Sequence, residues 1–299
     1  MILCCGEALI DMLPRTTAAG EVAFAPYAGG AVMNTAIALG RLGASSGYFG
    51  GVSNDLFGQI LAETLTASKV DHSLCPRSDK PTTLAFVTLV DGHAKYAFYD
   101  ENTAGRLLAP EDLPNLTDTI KALFFGGISL VGEPAADTYA ALCAQADDRV
   151  IMIDPNIRPG FITDEARYRA RLDTMLCRAD IVKISDEDMD WLGTTPEALL
   201  KNGCALVLVT RGVDGVDVVS REGTQRVAAH KVTVVDTVGA GDTFNAGFLA
   251  GLDRAGLLSR EKLAAAWLAD LTDAAELGVQ AAAITVSRAG ANPPWSTEL

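Results

Sequence analysis

Short apolar runs recur along the chain, and most of them alternate with longer stretches of helical spacing. Residues 2–5 and 8–10 open it as strand-like segments, and the spacing over 33–42 predicts a helix that Gly43 ends. Residues 47–52 read as a short strand, and 55–68 as a helix with Asp55 at its start. The β-rich runs 84–90 and 95–99 flank Asp91-Gly92, a hairpin signal. Beyond them the pattern changes. Apolar runs at 121–126, 149–153, 180–184, 205–210 and 216–219 are mostly separated by helical stretches, as in a parallel sheet covered by helices. A strand is predicted at 232–236, then a glycine-rich turn, then a helix from about Asp242 to Gly251. The alanine-rich stretch 261–284 reads as helical. The expected fold is a single α/β domain over residues 1–299, a three-layer α/β/α core around a mainly parallel sheet with a small β excursion.

Composition narrows the function. The chain has 299 residues, 49% of them apolar and 21% charged, ordinary for a globular protein able to bury a sizeable core. Its net charge of −14 argues against nucleic acid and anionic membranes as partners. It does not argue against a phosphate ligand, which main-chain amides and a metal can hold locally. The six cysteines form no C-x-x-C pair and read as reduced thiols of a cytoplasmic protein. His72, His93 and His230 are far apart, so no zinc site is expected. Glu7 and Asp11 interrupt the first apolar run, which therefore reads as a strand and not as a signal peptide.

The sharpest chemical feature is Asp236-Thr237-Val238-Gly239-Ala240-Gly241-Asp242-Thr243-Phe244, between a predicted strand and a predicted helix. Gly239 and Gly241 allow backbone angles and close approaches closed to other residues. Successive amides at a helix start can then cradle an anion. A carboxylate there repels a merely bound phosphate. It makes sense if Asp242 must take a proton from an alcohol attacking that phosphate. The plainer alternative is a glycine turn with Asp242 as helix cap. A dinucleotide fingerprint fails because Phe244 stands where it needs glycine, and no G-x-x-x-x-G-K-[ST] run exists.

The run Asp236–Asp242 resembles the D-T-x-G-A-G-D signature of the ribokinase-like (PfkB) carbohydrate kinases. Gly29-Gly30-x-x-x-Asn34 and Gly51-Val52-Ser53-x-Asp55-x-x-Gly58 are similar to that family's N-terminal signatures, with Ser53 in place of a glycine. The resemblance implies a ribokinase-like fold whose small β-sheet lid comes from about 12–28 and 83–101. It implies ATP and Mg²⁺ as cofactors, Asp242 as the catalytic base, and an anion hole from the amides of Gly239, Ala240 and Gly241. Arg158, in Asp154-Pro155-Asn156-Ile157-Arg158, is then the cation for phosphate oxygens. Asp11, Gly29, Gly30, Asn34 and Tyr99 would bind the sugar. Lys183, Thr210, Gly212 and Gly215 would serve the nucleotide. Either Asp188 or Glu187 would support Mg²⁺ through water, where Ser185 and Asp188 depart from the family's N-x-x-E. Asp236 and Ser287 would contribute to a K⁺ site.

Phe98-Tyr99-Asp100-Glu101-Asn102-Thr103-Ala104 resembles the lid run of bacterial fructokinases. The expected reaction is transfer of the γ-phosphoryl of ATP to a primary hydroxyl of D-fructose. The alternatives are 2-keto-3-deoxygluconate, whose carboxylate Asp100 would repel, and another sugar or nucleoside of the family. Two other classes compete, a nicotinamide-dependent oxidoreductase and a non-catalytic sugar-binding regulator. The missing fingerprint counts against the first, and the presence of Asp242 against the second. A homodimer paired through the lid is a further expectation from the resemblance.

Overall fold

The computed structural model describes residues 1–90 and 93–299, so the hairpin signal at Asp91-Gly92 lies outside the described residues. The first half of the chain supplies β1 (Ile2–Cys5), β2 (Leu9–Thr16), β3 (Val22–Gly29), α1 (Ala31–Arg41), β4 (Ser46–Phe49), β5 (Val52–Ser53), α2 (Leu56–Ala67), β6 (Val70–Asp71), β7 (Arg77–Ser78), β8 (Leu84–Val90) and β9 (His93–Tyr99). Next come β10 (Ala122–Gly126), α3 (Ala135–Ala144), β11 (Val150–Asp154), α4 (Glu165–Leu176), β12 (Ile181–Ser185), α5 (Asp186–Leu192) and α6 (Pro196–Lys201). The last third holds β13 (Leu206–Thr210), β14 (Val216–Ser220), β15 (Gly223–Val227), α7 (Ala240–Arg254), α8 (Arg260–Ala264) and α9 (Leu268–Val286).

Among the described residues nine strands form the central sheet, in the order β15-β14-β13-β12-β11-β10-β1-β4-β6. From β6 to β13 neighbours run parallel, and β14 and β15 close the far edge antiparallel. The two-residue period of a strand sends alternate side chains to opposite faces. Ala122 and Phe124 of β10 enter one core, built with α1, α2, α7, α8 and α9. Leu123 and Phe125 enter the other, built with α3, α4 and α6. Both faces are covered, which is why the parallel strands read as unbroken apolar runs. The chain leaves β1 toward β4 and β6, and later leaves β10 toward β15. The strand order therefore reverses between β1 and β10, where an open α/β sheet forms its crevice.

A second sheet, in the order β3-β2-β8-β9, stands apart from the first. Its register puts Asp11 beside Ala85 and Ala85 beside Phe98, so these three share one face. Leu84 and Tyr99 are partners on the opposite face. The root of β8 is pinned by Asp55, which caps α2 through the Gly58 N–H and also accepts from the N–H and hydroxyl of Thr82.

Two expectations fail. No strand forms at 232–236; Val232, Val234 and Val235 are exposed, and the N–H groups of Val235 and Asp236 donate to the Val286 carbonyl at the end of α9. The sheet edge is taken by β15, whose Gly-Thr-Gln-Arg-Val sequence is polar because an edge strand faces water. The alanine-rich stretch splits into α8 and α9, with Trp267 as the N-cap of α9.

Helix α7, which carries Asp242, packs on α9 almost backbone to backbone. A Cβ at Gly247 would stand 2.6 Å from Gly278 Cα, and one at Gly251 2.7 Å from Ala274 Cα. Gly247→Val must therefore push the two helices apart. It is expected to cost about 1–3 kcal/mol, read as a lower urea midpoint; an unchanged midpoint would show that α9 is free to move aside.

Candidate active site

Two helices begin at the crevice. At the end of β3 the chain turns through Gly29 and Gly30, and Gly30 takes φ 104°, a region that suits glycine alone. Helix α1 follows and presents Asn34 in its first turn. Across from it Gly239, at φ 77°, starts α7, and Asp242 sits in the first turn of that helix. The Asn34 amide donates to Asp242 Oδ2 at 2.9 Å, and the Thr35 hydroxyl donates to the Asp242 carbonyl at 3.3 Å.

The Asp242 carboxyl is pushed up to about 6, first by burial. The Asp154 charge adds to that rise, while the Asn34 hydrogen bond and the charges of Lys183 and Arg158 oppose it. The first-turn amides of α7 have no acceptor within their own helix and point toward the helix start. Of the predicted anion-hole amides, Ala240 already donates to the Thr237 carbonyl at 3.3 Å, a long bond that a stronger acceptor can displace.

Beneath this turn lies a buried polar cluster. Lys183 Nζ donates to Asp154 Oδ2 at 3.0 Å, and Asn245 on α7 donates to the same oxygen at 2.8 Å. A Cβ at Gly241 would stand 3.4 Å from Lys183 Nζ, so the ammonium lies directly under the glycine turn. Asp188 is buried and accepts from the Ile157 N–H at 3.0 Å; its carboxyl is raised by burial and by the Asp154 charge. Glu187 is exposed. The structure thus places Asp188 in the cluster and Glu187 outside it.

Asp154 Oδ1 is buried with no hydrogen-bond partner among the described residues. That oxygen and the Asp188 carboxylate are the hard donors Mg²⁺ prefers. Among the described residues no group of three or more His, Cys, Asp or Glu could hold a metal. The donors fit an ion that takes most of its ligands from phosphate and water.

Arg158 is exposed at the mouth, one residue beyond the buried Ile157 and two beyond Asn156, which adopts φ 43°. Thr210 ends β13 beside Ser185 of β12, on the same edge as Lys183. Gly212 and Gly215 take φ 53° and 92° in the turn that follows, and a Cβ at Gly215 would strike the Val227 carbonyl at 2.0 Å. Asp236 accepts from the Val238 N–H at 3.0 Å and the Gly290 N–H at 2.9 Å, tying the glycine turn to the segment after α9. The Ser287 hydroxyl donates to the Ile284 carbonyl at 2.7 Å.

A cavity of about 240 Å³ opens between the sheets, lined by Glu7, Thr83, Phe98, Asp100, Glu101, Arg106, Ser129, Tyr139 and Phe161 among others. Asp11 shares the Phe98 face of the small sheet, and its carboxyl is pushed up to about 6 by burial. A Cβ at Gly29 would strike Asp11 Oδ2, so glycine there makes room for that carboxylate. Tyr99 needs correction. It is exposed, packs its ring on Phe86 at 5.5 Å, and faces away from the cavity, whereas Phe98 faces in and meets Phe161 at 4.4 Å. Strand alternation decides between neighbours, and the motif alone did not. Asp100 also differs from expectation. It accepts from Thr83 at 2.7 Å and pairs with Arg106 at 3.3 Å, so its charge is largely matched. Glu7 and Arg106 were missed because neither belongs to a glycine signature.

The comparisons show the family and the fold. The family model described as pfkB family carbohydrate kinase matches residues 1–298. The chain is 54% identical over 271 residues to a fructokinase of Rhizobium leguminosarum bv. trifolii, covering 88% of this chain and 83% of that one. It is 34% identical to a fructokinase of Klebsiella pneumoniae, covering 84% of each chain. Among solved structures, a fructokinase with bound ATP from Xylella fastidiosa superposes with a TM-score of 0.87 at 29% identity, covering 97% of this chain and 93% of that one. A Vibrio cholerae fructokinase double mutant with fructose, ADP and potassium ion bound superposes with a TM-score of 0.83 at 27% identity, with the same coverage. A buried carboxylate at the start of a glycine-led helix and a match running almost end to end lead to one assignment: the chain belongs to the pfkB family of carbohydrate kinases.

Proposed function

We propose that this ATP-dependent sugar kinase is a fructokinase, moving the γ-phosphoryl of ATP to the primary hydroxyl of D-fructose to give fructose 6-phosphate and ADP. The observation that carries the mechanism is the buried Asp242 carboxylate, oriented by Asn34 at 2.9 Å in the first turn of α7. With ATP seated so that its γ-phosphoryl meets that turn, the amides of Gly239, Ala240 and Gly241 accept the charge of the transferring group. Asp242 removes the proton of the attacking hydroxyl as the phosphorus–oxygen bond forms and ADP departs. Lys183 and Arg158 add positive charge below and at the mouth of the turn. Mg²⁺ held through Asp188 and Asp154 Oδ1 would neutralise phosphate charge.

The ATP base is proposed to lie along the Thr210–Gly215 turn, which packs on residues 227–229 just before the exposed valines Val232, Val234 and Val235. Asp11, Gly29, Gly30 and Phe98 face the sugar. The small sheet is proposed to close as a lid, shedding water that would otherwise hydrolyse ATP. Its opposite face carries Phe24, Phe86 and Tyr99 in edge-to-face contact, a surface a second copy would cover in a homodimer. The free cysteines suit the cytoplasm, and among the described residues no helix is long and apolar enough to cross a membrane.

A neutral sugar is favoured over an acidic one because Glu7 and Glu101 line the cavity, and the one arginine among its described lining residues, Arg106, is already paired with Asp100. Fructose is expected to exceed 2-keto-3-deoxygluconate in kcat/KM by at least about 10²-fold, since unpaired like charges cost several kcal/mol. A coupled ADP-release assay decides this, and the reverse preference would overturn the substrate.

Asp242→Asn keeps the shape and removes the base. It should lower kcat by ~10²–10⁴-fold with ATP affinity little changed, and normal turnover would refute the mechanism. Only the ionised carboxylate can accept the proton, so kcat/KM should fall as pH drops through the Asp242 value of about 6. A K⁺ site beside Asp236 and Ser287 predicts lower kcat when KCl is replaced by choline chloride at equal ionic strength.

A further inference from the structure

Glu7 follows β1 at the point where the central sheet reverses its order, and its carboxylate is shared between two elements. Oε1 accepts from the Ala31 N–H, the first residue of α1, at 3.0 Å. Oε2 accepts from the Ser129 N–H, on the turn after β10, at 3.2 Å. The Glu7 carbonyl also accepts from the Met33 N–H at 3.3 Å, so Glu7 holds the first turn of α1 twice.

Two glycines make this possible. A Cβ at Gly127 would stand 2.3 Å from Glu7 Oε1, and one at Gly30 would stand 2.8 Å from the Glu7 carbonyl; both glycines have positive φ. The preceding residue is fixed as well. Tyr48 from β4 and Tyr139 from α3 both donate to the Gly6 carbonyl, at 2.6 and 2.9 Å. Such convergence holds a half-buried carboxylate in the cavity wall, which a simple brace would not need.

We propose that Glu7 is a positioning residue for phosphoryl transfer, coupling the sugar-cavity wall at Ser129 to the first turn of α1 and, through Asn34, to the Asp242 carboxylate. This rests on the kinase reading above. Binding a sugar against Ser129 and Phe98 thereby braces the same helix turn whose Asn34 aims the base. The coupling is strongest with Glu7 ionised, because a carboxylate accepts at both oxygens in charge-assisted bonds, whereas the hydroxyl oxygen of the acid is a weaker acceptor.

Burial pushes the Glu7 carboxyl up to about 7, with Ser129 opposing and the Asp242 charge adding. The titratable and charged groups facing it are Asp242 on α7, Tyr48 on β4, Tyr139 on α3, and Asp100, Glu101 and Arg106 across the cavity.

The test compares wild-type enzyme with Glu7→Gln and Gly127→Ala, varying fructose at saturating ATP and ATP at saturating fructose. Glu7→Gln leaves one amide facing a donor and should lower kcat/KM for fructose about 10- to 100-fold, with KM for ATP within about twofold. Gly127→Ala keeps the carboxylate but displaces it, and should reproduce the loss if Glu7→Gln fails to fold. The wild-type acid limb of kcat/KM, between about pH 5 and 8, should carry one more ionisation than that of Glu7→Gln, the one near 7 that disappears with the carboxyl, while those near 6 from Asp11 and Asp242 remain. A folded Glu7→Gln enzyme within twofold of wild type, a fully active Gly127→Ala, or an acid limb that Glu7→Gln leaves unchanged would each overturn the proposal. The wild-type rate reports on the kinase reading and the variant-to-wild-type ratio on Glu7, so the two fail separately.

Discussion

The hydrogen bond from Asn34 to Asp242 joins residues 208 apart in sequence at the starts of two helices, and the site is organised around it. A carboxylate out of water is costly unless dipoles or hydrogen bonds replace the solvent. Here the replacement comes from the first turn of α7, from the Asn34 amide, and from the Lys183 ammonium under Gly241. The balance leaves the group ionised at neutral pH yet basic enough to take a proton, as a general base requires. Lys183 does not add an unmatched charge, because it pairs with the buried Asp154, whose Oδ2 also accepts from Asn245.

The rest of the molecule serves to bring α1 and α7 together with little freedom. Both pack on the same face of the central sheet, and the glycine contacts between α7 and α9 set the depth of α7. The reversal of strand order between β1 and β10 opens the crevice, and Glu7 and the turn after β10 are the two walls nearest it. The small sheet adds Asp11 and Phe98 from above, with its root held by Asp55 and by the Thr83–Asp100–Arg106 set. Each of these contacts spans separate elements, so the site is a product of topology and not of a single loop.

Much of this was legible in the sequence where the requirement is local. Glycine at positions needing positive φ or close approach marks Gly30, Gly239 and Gly215, and the apolar runs mark the buried parallel strands. What was not legible depends on partners distant in the chain. The valines at 232–236 look like a strand, but the edge they would join is filled by polar β15. Phe98 and Tyr99 are adjacent and aromatic, and only the register with Ala85 says which one turns inward. Asp100 reads as a repelling charge until Arg106 is seen beside it. Asp188 and Glu187 are separated by burial alone. Glu7 carries no motif, because what it holds are main-chain amides, which any sequence provides.

The central claim is that Asp242 faces the oxygen that attacks phosphorus. A crystal structure with fructose and a non-hydrolysable ATP analogue measures that separation directly. The account predicts an Asp242 carboxylate oxygen within about 3.2 Å of the sugar's primary hydroxyl oxygen, with Asn34 still bound to the other. A hydroxyl seated against a different residue, with Asp242 turned away into the helix, would contradict it.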